Sequence, residues 1–149
     1  MQMEACLRAS PERGASQVVS ESARWMRKAG CAQEPDLLCV RGKALYGIGQ
    51  LDDALKHFSE ALKLDPDHTS SRQMRNQIKE LERLKRMGNE AFSAGNFAEA
   101  ETQYTEALQT EGLPVDVQLT LLTNRATARE TLTLTLTLTR TRTRTRTLT

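Results

Sequence analysis

The chain has 149 residues, which is enough for one folded domain at most. Charged residues make up 27% of it and aromatic residues only 4%, so a core has to be built from Leu, Ala and Met, which favour helices over strands. The net charge is +2, but the four arginines of the acid-free C-terminal tail leave the rest of the chain at −2, which argues against nucleic-acid binding.

Three cysteines, Cys6, Cys31 and Cys39, form no C-x-x-C pair and leave an odd one over, a pattern typical of reduced thiols inside the cell. No apolar run approaches the roughly 20 residues of a membrane span, and the N-terminal residues lack the charged and apolar segments of a signal peptide. We therefore expect a soluble, cytoplasmic protein that does not bind membranes.

Residues 1–16 are predicted to be disordered, because Ser10–Gly14 is a cluster of residues that break regular structure. A short helical stretch over 17–30 follows as a partial repeat. Pro35 and Asp36 open the first clear helix, since proline suits the first helical turn and the aspartate can accept hydrogen bonds from the free amides there.

That helix ends at Gly47 and Gly49, and Asp52 opens a second helix that Asp65–Pro66 stops. Small and apolar residues of this second helix recur at the spacing of one buried face. They are Ala54, Leu55, Phe58, Ala61, Leu62 and Leu64. The two helices predict a hairpin over 35–68.

From His68 to about Ala94, apolar residues recur every three or four positions among charges of alternating sign, which predicts one long helix with a solvated face. Its first half, 69–80, is a spacer, and its second half opens another hairpin over 81–114. A further helix begins a partial repeat over 119–130.

Residues 131–149 alternate Thr-Leu and then Thr-Arg almost without interruption. Alternation is the period of a strand, but the pattern is of low complexity and no partner strand is predicted. Because an isolated strand buries too little surface to persist, we expect a disordered tail. A basic tail that touches acidic partners is the alternative.

The two predicted hairpins have nearly the same sequence pattern. Ala54–Leu62 is echoed by Ala100–Leu108, each with an aromatic residue four places after the first alanine and Ala-Leu after that. Gly42 and Gly88 stand twelve residues before that alanine in their copies. Such self-similarity indicates a helical-hairpin repeat, and it favours a binding function over catalysis.

The first copy resembles the tetratricopeptide repeat (TPR), a 34-residue unit of two antiparallel helices. The residues that carry the resemblance are Leu38, Gly42, Leu45, Ala54, Phe58, Ala61 and Pro66. The second copy departs from the family at its end, where Glu111–Pro114 replaces the usual Asp-Pro. The resemblance implies an all-α fold in which antiparallel helical hairpins stack as a short α-solenoid.

The segment Lys85–Phe92 resembles the K-x-x-x-N-x-x-F start of TPR domains that hold the C-terminal tail of a chaperone. The resemblance implies that Lys85, Asn89 and Asn124 bind the terminal carboxylate of a peptide and that Phe92 lines the peptide groove. Lys85 and Asn89 are four residues apart and therefore share a helix face. As an alternative, each of these residues is an ordinary surface residue.

The family completes this clamp with a Lys and an Arg from a third repeat, which have no counterpart here; the tail arginines do not match that motif. Over about residues 16 to 130 the order of segments resembles the TPR co-chaperones that also carry a DnaJ (J) domain. The His-Pro-Asp signature of the J domain is absent.

The resemblance implies a co-chaperone-type interaction module that binds C-terminal peptide tails of heat-shock chaperones. The alternative is a truncated or mispredicted fragment that acts only as a general scaffold or has no stable activity, since about three repeats are needed for stability. We expect no enzyme activity, cofactor or small-molecule substrate, because no catalytic or phosphate-binding motif stands out. We also expect no metal, because the two histidines, His57 and His68, have no partner at metal-ligand spacing.

Overall fold

The computed structural model describes residues 11–26 and 34–146, and all regular secondary structure in these ranges is helical. The six helices are α1 (Pro11–Met26), α2 (Pro35–Gly47), α3 (Leu51–Leu64), α4 (Thr69–Ser93), α5 (Phe97–Leu108) and α6 (Val115–Arg146). The predicted all-α class built from helical hairpins is thus confirmed. Within the same ranges, none of the helices combines the length and the apolar character needed to cross a membrane.

The chain divides into two compact units, each of which contains one hairpin. Unit one holds the described residues up to Glu80 together with Gly112–Val117, and its hairpin is α2 with α3. Unit two holds Leu81–Glu111 and the residues from Gln118 onward, and its hairpin is the second half of α4 with α5.

Both hairpins turn in the same way. In unit one, Gly49 has a φ of 78°, and the N–H of Gln50 donates to the carbonyl of Leu45 at 2.9 Å. In unit two, Gly95 has a φ of 80°, and the N–H of Asn96 donates to the carbonyl of Ala91 at 2.9 Å. Glycine suits this left-handed conformation because it has no Cβ, and the bonds satisfy carbonyls that the helix end leaves open.

The two helices of each hairpin cross where a glycine faces an aromatic ring. A Cβ placed on Gly42 would lie 2.7 Å from Phe58 Cε1, and one placed on Gly88 would lie 2.5 Å from Tyr104 Cε1. Phe58 and Tyr104 are both buried. Each ring therefore occupies the space that the Cβ of any residue other than glycine would need at that position.

The core of unit one surrounds Phe58. Its buried members come from α2, α3 and the first half of α4, namely Cys39, Leu45, Tyr46, Ala54, Phe58 and Ile78. Cys39 is a free thiol whose Sγ lies 3.6 Å from Ser70 Oγ. Cys6 and Cys31 lie outside the described residues.

Arg41 joins α1, α2 and α3. Its Nη1 donates to the carbonyl of Val19 at 2.8 Å and to Ser22 Oγ at 3.0 Å, while its Nε donates to His57 Nε2 at 3.0 Å. Since His57 accepts at Nε2, the neutral ring carries its proton on Nδ1, which lies 3.3 Å from Glu60 Oε2. His57 is therefore part of a contact among three helices.

His68 precedes α4 and caps it. The N–H of Ser71 donates to His68 Nδ1 at 3.2 Å, and His68 Nε2 lies 3.0 Å from Asp36 Oδ1. Asp36 was expected to accept hydrogen bonds from the amides of its own helix start. In the structure it meets the imidazole ring instead.

The N-terminal segment differs from the sequence expectation. Residues 1–16 were expected to be disordered, but α1 begins at Pro11, which is well suited to a first helical turn. Ala15 and Val18 are buried and pack with Ala44 of α2, so the helix gains a hydrophobic contact. Residues 1–10, and the predicted end of this helix at Gly30, lie outside the described residues.

The tail also differs from the expectation of disorder, because α6 continues through it to Arg146. Thr131 Oγ1 donates to the carbonyl of Thr127 at 2.8 Å, and Thr133 Oγ1 donates to that of Glu130 at 2.8 Å. Adding residues to an existing helix needs no new nucleation, which favours this continuation. Residues 147–149 lie outside the described part.

Replacing Gly42 or Gly88 by Ala should destabilise the protein. In a helix interior Ala is ordinarily favoured over Gly by about 0.5–1 kcal/mol. Here the added methyl would collide with a buried ring, and overpacking of this kind costs about 1–3 kcal/mol. Urea unfolding measures the change, with Gly42→Ala in a Phe58→Leu background as control, where the loss should be smaller. A stabilised Gly42→Ala protein would contradict the close helix crossing.

Stability should decrease as the pH falls through the normal range of histidine. Burial lowers the pKa of His57, and the Arg41 charge lowers it further, while Glu60 raises it. As the pH falls, His57 is therefore protonated in the unfolded chain at a higher pH than in the folded protein. Its contribution to the free energy of unfolding is complete above a pH of about 6.5, the ordinary pKa of histidine, and declines below it. Chemical unfolding at about pH 7.5 and about pH 5.5, above and below that value, measures the decline.

The control for this prediction is His57→Gln, because Gln103 stands at the equivalent position of the second hairpin and glutamine can still accept from Arg41. The variant keeps His68 and all carboxylates, so the difference between the two pH profiles reports His57 alone. Identical pH profiles for the two proteins would show that folding does not lower the pKa of His57.

Candidate peptide-binding site

Unit two contains a cavity of about 260 Å³ between α4, α5 and α6. Its walls are formed by side chains from all three helices, namely Asn89, Phe92, Ser93, Tyr104, Asn124 and Thr127. The structure thus brings together three of the four residues singled out from the sequence. Their role in binding a peptide remains a prediction.

Lys85 is the predicted residue that does not line this cavity. It is half-buried on α4, one turn before Asn89, and the spacing of four places the two residues on the same helix face. A lysine has a flexible four-carbon stem that carries its charge away from the backbone. Lys85 therefore supplies a positive charge one helical turn before Asn89.

The side-chain amide of Asn89 is held by Tyr104. Tyr104 Oη donates to Asn89 Oδ1 at 2.8 Å. Burial raises the pKa of Tyr104, so the phenol keeps its proton and remains a donor at neutral pH. With Oδ1 engaged in this way, the Asn89 amide has its two Nδ2 hydrogens to offer to a ligand.

An aromatic pair forms the apolar part of the site. The rings of Phe92 and Phe97 meet edge to face, with centroids 5.3 Å apart and planes at 67°. Pairs in this geometry contribute about 0.5–1.5 kcal/mol beyond simple burial, so Phe92 has a defined position in the cavity wall. Such a wall suits the aliphatic part of a peptide.

Asn124 reaches the cavity from α6, where its side chain is half-buried. The same helix buries Leu121 and Ala128 and exposes Leu119 and Leu122, so its buried face is narrow. Asn124 stands at the edge of that face, next to the cavity. Helices α4 and α6 thus each supply one amide to the same cavity.

This arrangement suits a carboxylate better than a cation. Asparagine amides are neutral groups that can donate two hydrogen bonds each, and Lys85 adds a positive charge nearby. A terminal carboxylate of a peptide accepts hydrogen bonds and carries a negative charge, so it matches these donors. Among the residues that the structure describes, no group of three His, Cys, Asp or Glu side chains could hold a metal ion.

Tyr104 is the aromatic residue of the repeated pattern in the second copy, but the pattern did not reveal its contact with Asn89. A signal was available, because the first copy has Phe58 at the equivalent position. The hydroxyl is thus the one chemical difference between the two rings. Ser93 and Thr127, which also line the cavity, were not singled out either.

Comparison with known proteins agrees with this structure. The tetratricopeptide repeat family model matches residues 35–68, which contain the α2–α3 hairpin. The DnaJ homolog subfamily C member 7 homolog of Schizosaccharomyces pombe is 41% identical over 92 residues, which is 62% of this chain and 19% of that protein. DnaJ homolog subfamily C member 7 of Homo sapiens is 35% identical over 97 residues, which is 65% of this chain and 20% of that protein.

A relative of another kind, the inactive TPR repeat-containing thioredoxin TTL3 of Arabidopsis thaliana, is 29% identical over 97 residues, 65% of this chain and 14% of that protein. No solved structure gives a significant match. The chain spans about a fifth of the length of the DnaJ homologs that it matches. The family match and the glycine–aromatic crossing of Gly42 with Phe58 identify residues 35–68 as a tetratricopeptide repeat, and the chain is similar to DnaJ homolog subfamily C member 7 proteins.

Proposed function

We propose that this protein is an interaction module of the co-chaperone type that binds C-terminal peptide tails of heat-shock chaperones in the cytoplasm. The observation that carries the proposal is the cavity of unit two, where Asn89 and Asn124 come together from separate helices. The similarity to proteins named DnaJ homologs supports the co-chaperone part.

The bound group is the terminal carboxylate of the peptide. Asn89 and Asn124 donate to its oxygens, and Lys85 supplies the opposite charge from one turn away. The side chain of the last peptide residue packs against Phe92. A hydrogen bond to a charged group contributes about 1.5–3 kcal/mol, so a few such contacts are sufficient for weak and reversible binding.

The first hairpin lacks the same groups. At the position of Lys85 it has Cys39, which is buried, and at the position of Asn89 it has Lys43. A carboxylate would find neither amide there, because Lys43 replaces Asn89 and Ile78 stands at the position of Asn124. The proposal therefore assigns the carboxylate to unit two alone, with one peptide for each chain.

Calorimetry with an acidic peptide tests this function. We expect the peptide with a free C-terminus to bind with a Kd of about micromolar order and the same peptide with an amidated C-terminus to bind more weakly. Added salt should weaken the binding of the free peptide, because the charges at an open site are screened. Equal affinities for the two peptides would refute carboxylate recognition.

Variants of the cavity residues test which groups bind the carboxylate. Lys85→Ala and Asn89→Ala should each weaken binding of the free peptide about tenfold, the equivalent of about 1.4 kcal/mol for one lost charge-assisted contact. Lys79→Ala removes the same charge from an exposed position earlier on α4 and serves as the matched control. A similar loss for Lys79→Ala would mean that net charge, and not the site, governs affinity.

A further inference from the structure

The hydroxyl of Tyr104 makes a hydrogen bond to Asn89 in addition to the packing of its ring. We infer that Tyr104 is a positioning residue, whose hydroxyl holds the Asn89 amide with Oδ1 towards the tyrosine and Nδ2 towards the cavity. The inference rests on the proposed function, because it concerns how the same cavity distinguishes a carboxylate from other peptide ends. The contact that carries it is the 2.8 Å hydrogen bond from Tyr104 Oη to Asn89 Oδ1.

The orientation of the amide decides what the site can bind. An asparagine side chain has an acceptor oxygen on one side and a donor nitrogen on the other, and a half-turn exchanges them. A carboxylate only accepts, so it is attracted by Nδ2 and repelled by Oδ1. An amide that is held before the ligand arrives also loses less rotational freedom on binding.

Tyr104 is itself held firmly. It is 2% exposed, and its ring packs against Gly88, where a Cβ would lie 2.5 Å from Cε1. Asn89 is the next residue along α4. The glycine crossing therefore fixes the ring, and the ring places its hydroxyl beside the amide.

The first hairpin shows that packing alone does not need the hydroxyl. Phe58 fills the equivalent position against Gly42 and is fully buried there. The residue at the position of Asn89 is Lys43, which has no amide to orient. Within this one chain, the hydroxyl and the asparagine occur together in one repeat and are absent together from the other.

Tyr104→Phe tests the inference, and Phe58 indicates that the folded repeat accepts a phenylalanine at this position. We expect the affinity for the free peptide to fall about three- to tenfold, as for the loss of one organising hydrogen bond, while the affinity for the amidated peptide stays the same. An unchanged ratio of the two affinities would overturn the inference, because a purely structural hydroxyl would leave that ratio as it is.

Asn89→Asp provides the matched comparison. It keeps an oxygen for Tyr104 but replaces Nδ2 by a second oxygen, so the preference for the free peptide should be lost. If Asn89→Asp retained the preference, Nδ2 would not be the group that meets the carboxylate, and the inference would fail.

A second measurement separates this inference from the proposed function. The order parameter of the Asn89 side-chain amide, measured by NMR in the peptide-free protein, should fall in Tyr104→Phe. If wild-type protein shows no preference for a free carboxylate but the order parameter falls, the proposed function fails and the positioning contact stands. If the order parameter is the same in both proteins, the positioning role is refuted whatever the peptide does.

Discussion

The crossing of a glycine and an aromatic ring is the contact on which each hairpin depends. The two helices of each hairpin approach until the aromatic ring occupies the space that a side chain at the glycine position would need. The pairs are Gly42 with Phe58 and Gly88 with Tyr104. Interiors are packed as densely as organic crystals, so a contact of this closeness leaves little freedom in the angle between the helices. Each repeat also has a glycine turn with a positive φ and buried alanines on the second helix of the pair.

The same crossing also positions the candidate site. Gly88 and Asn89 are neighbours on α4, so the ring that packs on the first residue ends beside the side chain of the second. Under the proposed function, the packing of the hairpin and the recognition of a peptide are coupled through one tyrosine. The first hairpin has the same glycine–aromatic packing but carries Lys43 in place of Asn89, so the two repeats share the packing and differ at the proposed site.

Much of the fold could be derived from local sequence patterns, because helix periodicity, glycine turns and self-similarity act over short distances. Contacts between distant residues could not be derived in this way. Arg41 and His57 are 16 residues apart, and Asp36 and His68 are 32 apart, so no local pattern reveals that they meet. The helical tail was missed because a Thr-Leu alternation has the period of a strand, and the sequence does not show that a preceding helix extends into it.

For the site, resemblance to a motif identified Lys85, Asn89, Phe92 and Asn124, and the structure places three of them around one cavity. The rule that residues four apart share a helix face predicted that Lys85 and Asn89 lie on one face of α4, but it could not show that Lys85 is absent from the cavity wall. The hydrogen bond between Tyr104 and Asn89 could not be derived from a sequence pattern, because it depends on how closely the Tyr104 hydroxyl approaches the Asn89 side chain in the folded hairpin.

The three-helix contact of Arg41 has a consequence for motion within unit one. Helix α1 is held to the hairpin by a small apolar contact and by the bonds from one guanidinium group. Segments with few buried contacts open more often than the rest of a protein. The backbone amides of α1 should therefore exchange with solvent deuterium through local detachment of that helix, sooner than those of α3, whose Phe58 is fully buried in the core of unit one.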